Sequence, residues 1–159
     1  MRVLAVALCA VTFLSCGGSD EPDTVALPGR IRGAMTAVDG LLGGPQQYSE
    51  VNATESEANV FVVRDGSEGA YVVRPPEIEP PGPMSPYGGP TFAATDVAFG
   101  DGLLTTLAEE LPDAEVVALS VTPGSGGRKV DYIATVRGTG GEVRVLLGPN
   151  GEILDLDVG

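Results

Sequence analysis

Residues 75–90, PPEIEPPGPMSPYGGP, hold seven prolines in sixteen positions. Proline lacks a backbone N–H and fixes φ near about −65°, so this stretch cannot run through the interior of a hydrogen-bonded sheet. It divides a chain that is otherwise rich in strand-forming sequence. A Pro-rich ligand for a recognition domain is one use of such a segment; a stiff polyproline connector is the reading we take for 75–91.

N-terminal to it, QQYSEVNAT, ANVFVVR and GAYVVR are β-branched and aromatic runs separated by ESE and DGSE, the pattern of an antiparallel meander. C-terminal to it, TFAATDVAF is short enough for an edge strand. AEVVALSVT, KVDYIATVR, EVRVLLG and EILDLDV then predict a second meander, with Asn150-Gly151 as a two-residue hairpin turn of positive φ angles. A helix precedes each meander. In RIRGAMTAVDGLL, Ile31, Met35, Val38 and Leu42 share a face and Gly43-Gly44-Pro45 ends the run. Gly33 and Gly40 each cost about 1 kcal/mol relative to alanine, so packing must hold this helix. In GDGLLTTLAEELP, Leu103, Leu104, Leu107 and Leu111 share a face, Asp101 stands at the N-cap and Pro112 ends the helix.

The halves therefore repeat one order of elements. VFVVRDGSEGAYVV aligns with YIATVRGTGGEVRVL at a constant offset of 73, which pairs Arg64 with Arg137 and Ala70 with Val143. The expected fold is α+β, built as two tandem helix-plus-antiparallel-meander repeats, 29–74 and 92–159. Val60 to Val63, Tyr71 to Val73 and Val116-Val117 place apolar side chains on both strand faces, more than one helix per sheet covers. Either the two sheets share an interface, the arrangement we favour, or an apolar face is open for a ligand or partner.

The N-terminus, MRVLAVALCAVTFLSCGGSDEPD, has one positive residue, Arg2, and an apolar run from Val3 to Leu14. A bilayer span needs roughly 20 apolar residues, so the run reads as an export signal. Leu14-Ser15-Cys16 resembles the end of a bacterial lipoprotein lipobox, with Phe13 departing from the usual small aliphatic. The resemblance implies that residues 1–15 are removed as signal peptide and that Cys16 carries a thioether-linked diacylglycerol. Two or more acyl chains anchor stably, at about 0.8 kcal/mol per buried methylene. Residues 16–28 then form a lipidated flexible tether. An ordinary secretory signal with an incidental cysteine is the alternative. Cys9 lies inside the apolar run and is discarded with it, which leaves no cysteine pair for a disulfide.

Composition excludes several function classes. With no histidine, a Ser-His-Asp triad, a Cys-His pair and imidazole-ligated zinc are absent. Nine basic against 22 acidic residues, a formal charge of −13, argue against nucleic acid and against direct contact with anionic headgroups. Asp155 and Asp157 fall on one strand face and in principle form an acid–base pair or a cation site. Leu154, Leu156 and Val158 alternate with them, so we read the carboxylates as the wet face of a half-buried strand. Glu109-Glu110 read as surface charges, and Glu55, Glu57, Asp65 and Glu68 as solubilising turn residues whose spacing matches no calcium loop. GGPQQ, GSGGR and GTGG are turns without phosphate-loop spacing. The Asn52-Ala53-Thr54 sequon is incidental in a bacterial chain. No catalytic residue, metal ligand or cofactor site is expected.

TFAATDVAFGDGLLTTLAEELPDAEVVALSV through GGEVRVLLGPNGEILDLDV resembles the C-terminal region of a group of uncharacterised actinobacterial lipoproteins, and YSEVNATESEANVFVV resembles their first repeat. The helix and the meander ending in GPNGEILDLDV are also similar to PepSY-like domains. The resemblance implies a PepSY-like fold on the extracytoplasmic face of the cell membrane and brings no catalytic residue. The expected function is a non-enzymatic, lipid-anchored module that presents a surface or edge strand to another envelope protein. The alternative is a carrier holding a lipid or other apolar ligand between helix and sheet.

Overall fold

A computed structural model describes residues 26–157. The expected signal peptide and Cys16 lie outside the described residues. Helix α1, Leu27–Leu42, starts with Pro28 in its first turn, where a missing N–H costs no hydrogen bond. It therefore takes up the last residues expected in the tether. It buries Ile31, Ala34, Met35 and Val38, and it ends at Gly43, with the Gly44 N–H donating to the Asp39 carbonyl at 2.9 Å.

Strands β1 (Gln47–Thr54), β2 (Ala58–Arg64) and β3 (Ser67–Arg74) form the first meander. Asp65 and Gly66, both at positive φ, connect Arg64 directly to Ser67. This is the two-residue primed turn whose twist matches the strands it joins. The proline-rich segment that follows is folded onto the sheet. Within it β4 (Glu77–Glu79) pairs with one end of β3 and β5 (Ser85–Pro86) with the other. Between these contacts Pro81 closes on Gly69, where a Cβ would meet the Pro81 Cβ at 3.0 Å. Its prolines line an edge, where no ladder hydrogen bond is lost.

Strand β6 (Phe92–Ala93) pairs with the start of β1, and a 3-10 turn, Ala94–Asp96, leads to helix α2, Thr105–Glu110. Leu103 and Leu107 are buried as the helical pattern predicts, with Leu104 and Leu111 packed beside them. Asp101 is not the cap. Leu104 takes that position without a side-chain hydrogen bond, because residues 100–104 are drawn into a turn by the Gly100 N–H bond to the Pro149 carbonyl at 2.8 Å.

The second meander is β7 (Glu115–Pro123), β8 (Val130–Gly138), β9 (Gly141–Leu147) and β10 (Ile153–Asp157). Its last turn differs from the two-residue form expected at Asn150-Gly151. Gly151 donates to the Gly148 carbonyl at 3.0 Å, Gly148 donates to the Glu152 carbonyl at 2.9 Å, and only Gly151 has positive φ. The loop thus has three residues, with glycine at the left-handed position.

The principal strands make one antiparallel sheet in the order β10-β9-β8-β7-β1-β2-β3-β4. The halves meet at a central seam in which Val51 opposes Val121 and Thr54 opposes Ala118. The fold is α+β, with one long helix and a large antiparallel sheet. In place of two equally covered sheets, α1 lies over β1, β2 and β7, and α2 is a short second helix. The hairpins aligned at offset 73 are both present. Their pairing differs, for Phe61 opposes Ala70 whereas Ala134 opposes Val145. The shift is two residues, and the aligned positions fall on opposite faces of the sheet, for Phe61 is half-buried where Ala134 is buried.

The registers define two faces. Val51, Ala53, Val60, Leu119, Val121, Tyr132, Ala134 and Val145 are buried on the helix-covered face with Ile31 and Val38 of α1. Phe61, Val72, Ile133 and Leu146 stand half-buried on the opposite face. The apolar excess on both strand faces thus divides between a shared core and this second surface.

Candidate functional site

The carboxylates read from the sequence do not converge. Asp155 opposes Leu146 and Asp157 opposes Arg144, which puts the two on one face as expected. The alternation around them fails: Leu154 and Leu156 are 44% and 52% exposed. A register irregularity between Ile153 and Asp155 breaks the period, and β10 lies at the sheet's edge, away from the strands that α1 covers. Glu57 pairs with Arg74 at 2.7 Å, Glu68 accepts from the Ser49 hydroxyl, and Asp65 sits in the β2–β3 turn. Glu109 and Glu110 are exposed on α2. Among the described residues no three His, Cys, Asp or Glu side chains come together. Asn52 is engaged on β1, donating to Glu50 and accepting from Asn59, each at 3.1 Å.

Two partly buried polar clusters brace the fold. The Tyr48 hydroxyl donates to Asp39 Oδ1 at 2.5 Å, and the Gln46 N–H donates to the same oxygen at 2.9 Å. They fasten the end of α1 to the start of β1. Burial, reinforced by the Asp39 carboxylate, raises the Tyr48 pKa well above the ordinary tyrosine value. In the β7–β8 loop Asp131 accepts from the Ser125 hydroxyl at 2.8 Å and from Arg128 Nε at 2.6 Å. Burial pushes its carboxyl up, but the Arg128 and Ser125 hydrogen bonds outweigh this and hold it below the usual carboxylate range. Every partner in these clusters is satisfied within the fold, so they are structural.

Three features remain open. The first is the outer edge of β10, with which no described strand pairs, flanked by exposed Leu154 and Leu156. The second is a broad, mixed depression of about 1030 Å³ beside the start of α1, reaching Leu104, Val117 and Arg137. The third is an apolar groove of about 350 Å³ between α1 and the β3–β4 edge. Gly29, Gly33 and Ala37 form one wall, and Val73, Pro76 and Ile78 the other. Arg30 lines the same groove, and its Nε is buried without a hydrogen-bond partner.

A ligand site between helix and sheet is the alternative the sequence offers, but the residues of this groove are not singled out by it. Gly29, Gly33 and Ala37 recur every four residues, a line of small side chains on one side of a helix, and that spacing is the signal that could have marked it. Arg30 carried no such signal. Among the described residues no helix is long and apolar enough to cross a membrane. Compared with known families, characterised proteins and solved structures, the chain matches none.

Proposed function

We propose that this chain is a non-enzymatic lipoprotein of the bacterial cell envelope, anchored at the extracytoplasmic face of the membrane through Cys16 and acting as an interaction module for another envelope protein. The observation that carries the reading is the outer edge of β10, with which no described strand pairs, and its exposed Leu154 and Leu156. An exposed strand edge is a template for adding a strand, and natural proteins usually blunt one with charged side chains, above all lysine, with proline, a bulge or a covering element. Residues 153–157, ILDLD, contain neither lysine nor proline. Asp155, exposed on β10, favours a partner strand with a cationic side chain beside it.

The finer fold assignment, a tandem PepSY-like duplication, belongs to the same proposal. It is supported by the paired hairpins β2–β3 and β8–β9, whose sequences align with Arg64 on Arg137.

Two experiments test the reading. Intact mass of the protein from its own membranes should show a diacylglycerol adduct that a Cys16→Ala variant lacks; an unmodified Cys16 ends the anchoring claim. A photo-crosslinking residue at position 154 should join one discrete partner, and Leu156→Pro should abolish the adduct by removing an N–H that bonds Asp155 Oδ1 at 2.9 Å and takes no part in the pairing with β9. Equal crosslinking from an exposed control position on α2 removes the edge from the account.

A second reading, a carrier for an apolar ligand, is favoured by the groove between α1 and the β3–β4 edge, the place between helix and sheet where such a ligand is expected.

A further inference from the structure

We propose that the groove between α1 and the β3–β4 edge binds an aliphatic carboxylate, with a single acyl chain along the apolar walls and the carboxylate on the Arg30 guanidinium. This rests on the carrier reading and specifies the ligand's chain and head.

The volume bears on the chain. Ligand sites run from about 300 to 1,000 Å³, and the groove's 350 Å³ lies at the low end, enough for one unbranched chain and too little for a two-chain lipid. The walls bear on its polarity. Gly33 and Ala37 leave the α1 side without projecting side chains, and a Cβ built on Gly33 meets nothing within 4 Å. Opposite them Val73 and Ile78 are apolar.

Arg30 bears on the head. A guanidinium nitrogen out of water without an acceptor is costly, and native folds satisfy such groups almost without exception. Arg30 Nε is the one buried side-chain polar atom among the described residues that finds no partner in the fold. An acceptor in the groove completes it, and a carboxylate does so with a charge-assisted hydrogen bond. The positive end of the α1 dipole lies within one turn of Arg30 and favours the same sign. Glu77 lines the groove as well. Its side chain is exposed, and it forms no ion pair with Arg30, so it opposes an anion only through solvent.

The probe is decanoate, titrated calorimetrically into the full chain below its micelle concentration, with decanol as a control of equal chain length. Decanoate should bind saturably at one site and at least about tenfold more tightly than decanol, the ratio expected of a hydrogen bond to a charged group. Arg30→Gln should bring decanoate down to the decanol affinity, and Glu77→Gln should raise decanoate affinity alone. Gly33→Leu, which extends into open space, should abolish binding of both probes while leaving the circular dichroism unchanged; Ala37→Leu serves the same purpose should that variant misfold. If decanoate and decanol bind alike to wild type and Arg30→Gln, the head assignment fails and the carrier reading stands. If neither probe binds, both fail. If decanoate binds but both groove-filling variants leave it unaffected, the ligand sits elsewhere and the proposal is overturned.

Discussion

Replacing Tyr48 by phenylalanine removes one oxygen from a side chain that is fully buried. The hydroxyl has a short hydrogen bond to Asp39 Oδ1 and a longer approach to the Met35 carbonyl at 3.4 Å. A hydrogen bond to a charged acceptor is worth about 1.5–3 kcal/mol. Asp39 keeps its bond from the Gln46 N–H, so the loss should fall toward the lower half of that range. The alkaline limb tests the cause. In the unfolded chain Tyr48 loses its proton near about pH 10, whereas in the folded protein burial and the Asp39 carboxylate hold the proton to higher pH. Above about pH 10 the unfolded state therefore carries fewer protons than the folded one, and stability falls as pH rises. One proton corresponds to roughly 1.4 kcal/mol per pH unit. Tyr132, also raised by burial, adds to the slope, so Tyr48→Phe should remove roughly one proton from the wild-type dependence and leave the part that Tyr132 contributes. Urea titrations followed by far-ultraviolet circular dichroism between pH 8 and 11, with folded and unfolded baselines fitted at each pH, read both quantities. If Tyr48→Phe keeps the wild-type slope, Tyr48 does not carry a raised pKa and the Tyr48–Asp39 clasp is refuted.

Two further outcomes follow from the packing. Gly151→Ala places a Cβ 2.6 Å from the carbonyl oxygens of Gly102 and Leu103 at a backbone φ of +93°, and should destabilise by about 2–3 kcal/mol; an unchanged urea midpoint would show that the β9–β10 turn is not docked on residues 100–103. Asp131→Asn should flatten the acid limb. A carboxyl held low in the folded protein contributes stability above the unfolded pKa of about 4, and that stability is lost as pH falls through the lower folded value. Unfolding midpoints from pH 6 to 2 check it, and parallel curves for wild type and variant count against the Arg128–Asp131 pairing.

Local pattern carried the elements that make their own case. The apolar face of α1 is a periodic signal and the β-branched and aromatic runs in residues 58–64 and 130–138 are compositional ones, and the structure places a helix and strands there. Turn type was harder, because it depends on how the flanking strands approach. Asp65-Gly66 forms the two-residue turn, whereas Asn150-Gly151 is pulled into a three-residue loop by Gly148 and by contact with residues 100–103. Asp101 is a good capping residue in isolation, and the same contact displaces it. The proline stretch cannot enter a sheet interior, as its composition says, yet that leaves edges available, and β3 offered one. The groove escaped notice since it needs α1 and the β3–β4 edge together, two segments whose proximity no local period encodes.

The seam between β1 and β7 also sets the order of events when the chain folds. Hairpins β2–β3 and β8–β9 close over a few residues and can form within microseconds. Pairing Val51 with Val121 must close a loop of about 70 residues, whose entropic cost comes before any contact repays it. During synthesis from the N-terminus, β1 emerges long before β7 and waits with one edge bare. Joining the halves is therefore expected to be the slow step, and substitutions at the seam should retard refolding more than equally destabilising substitutions in either outer hairpin.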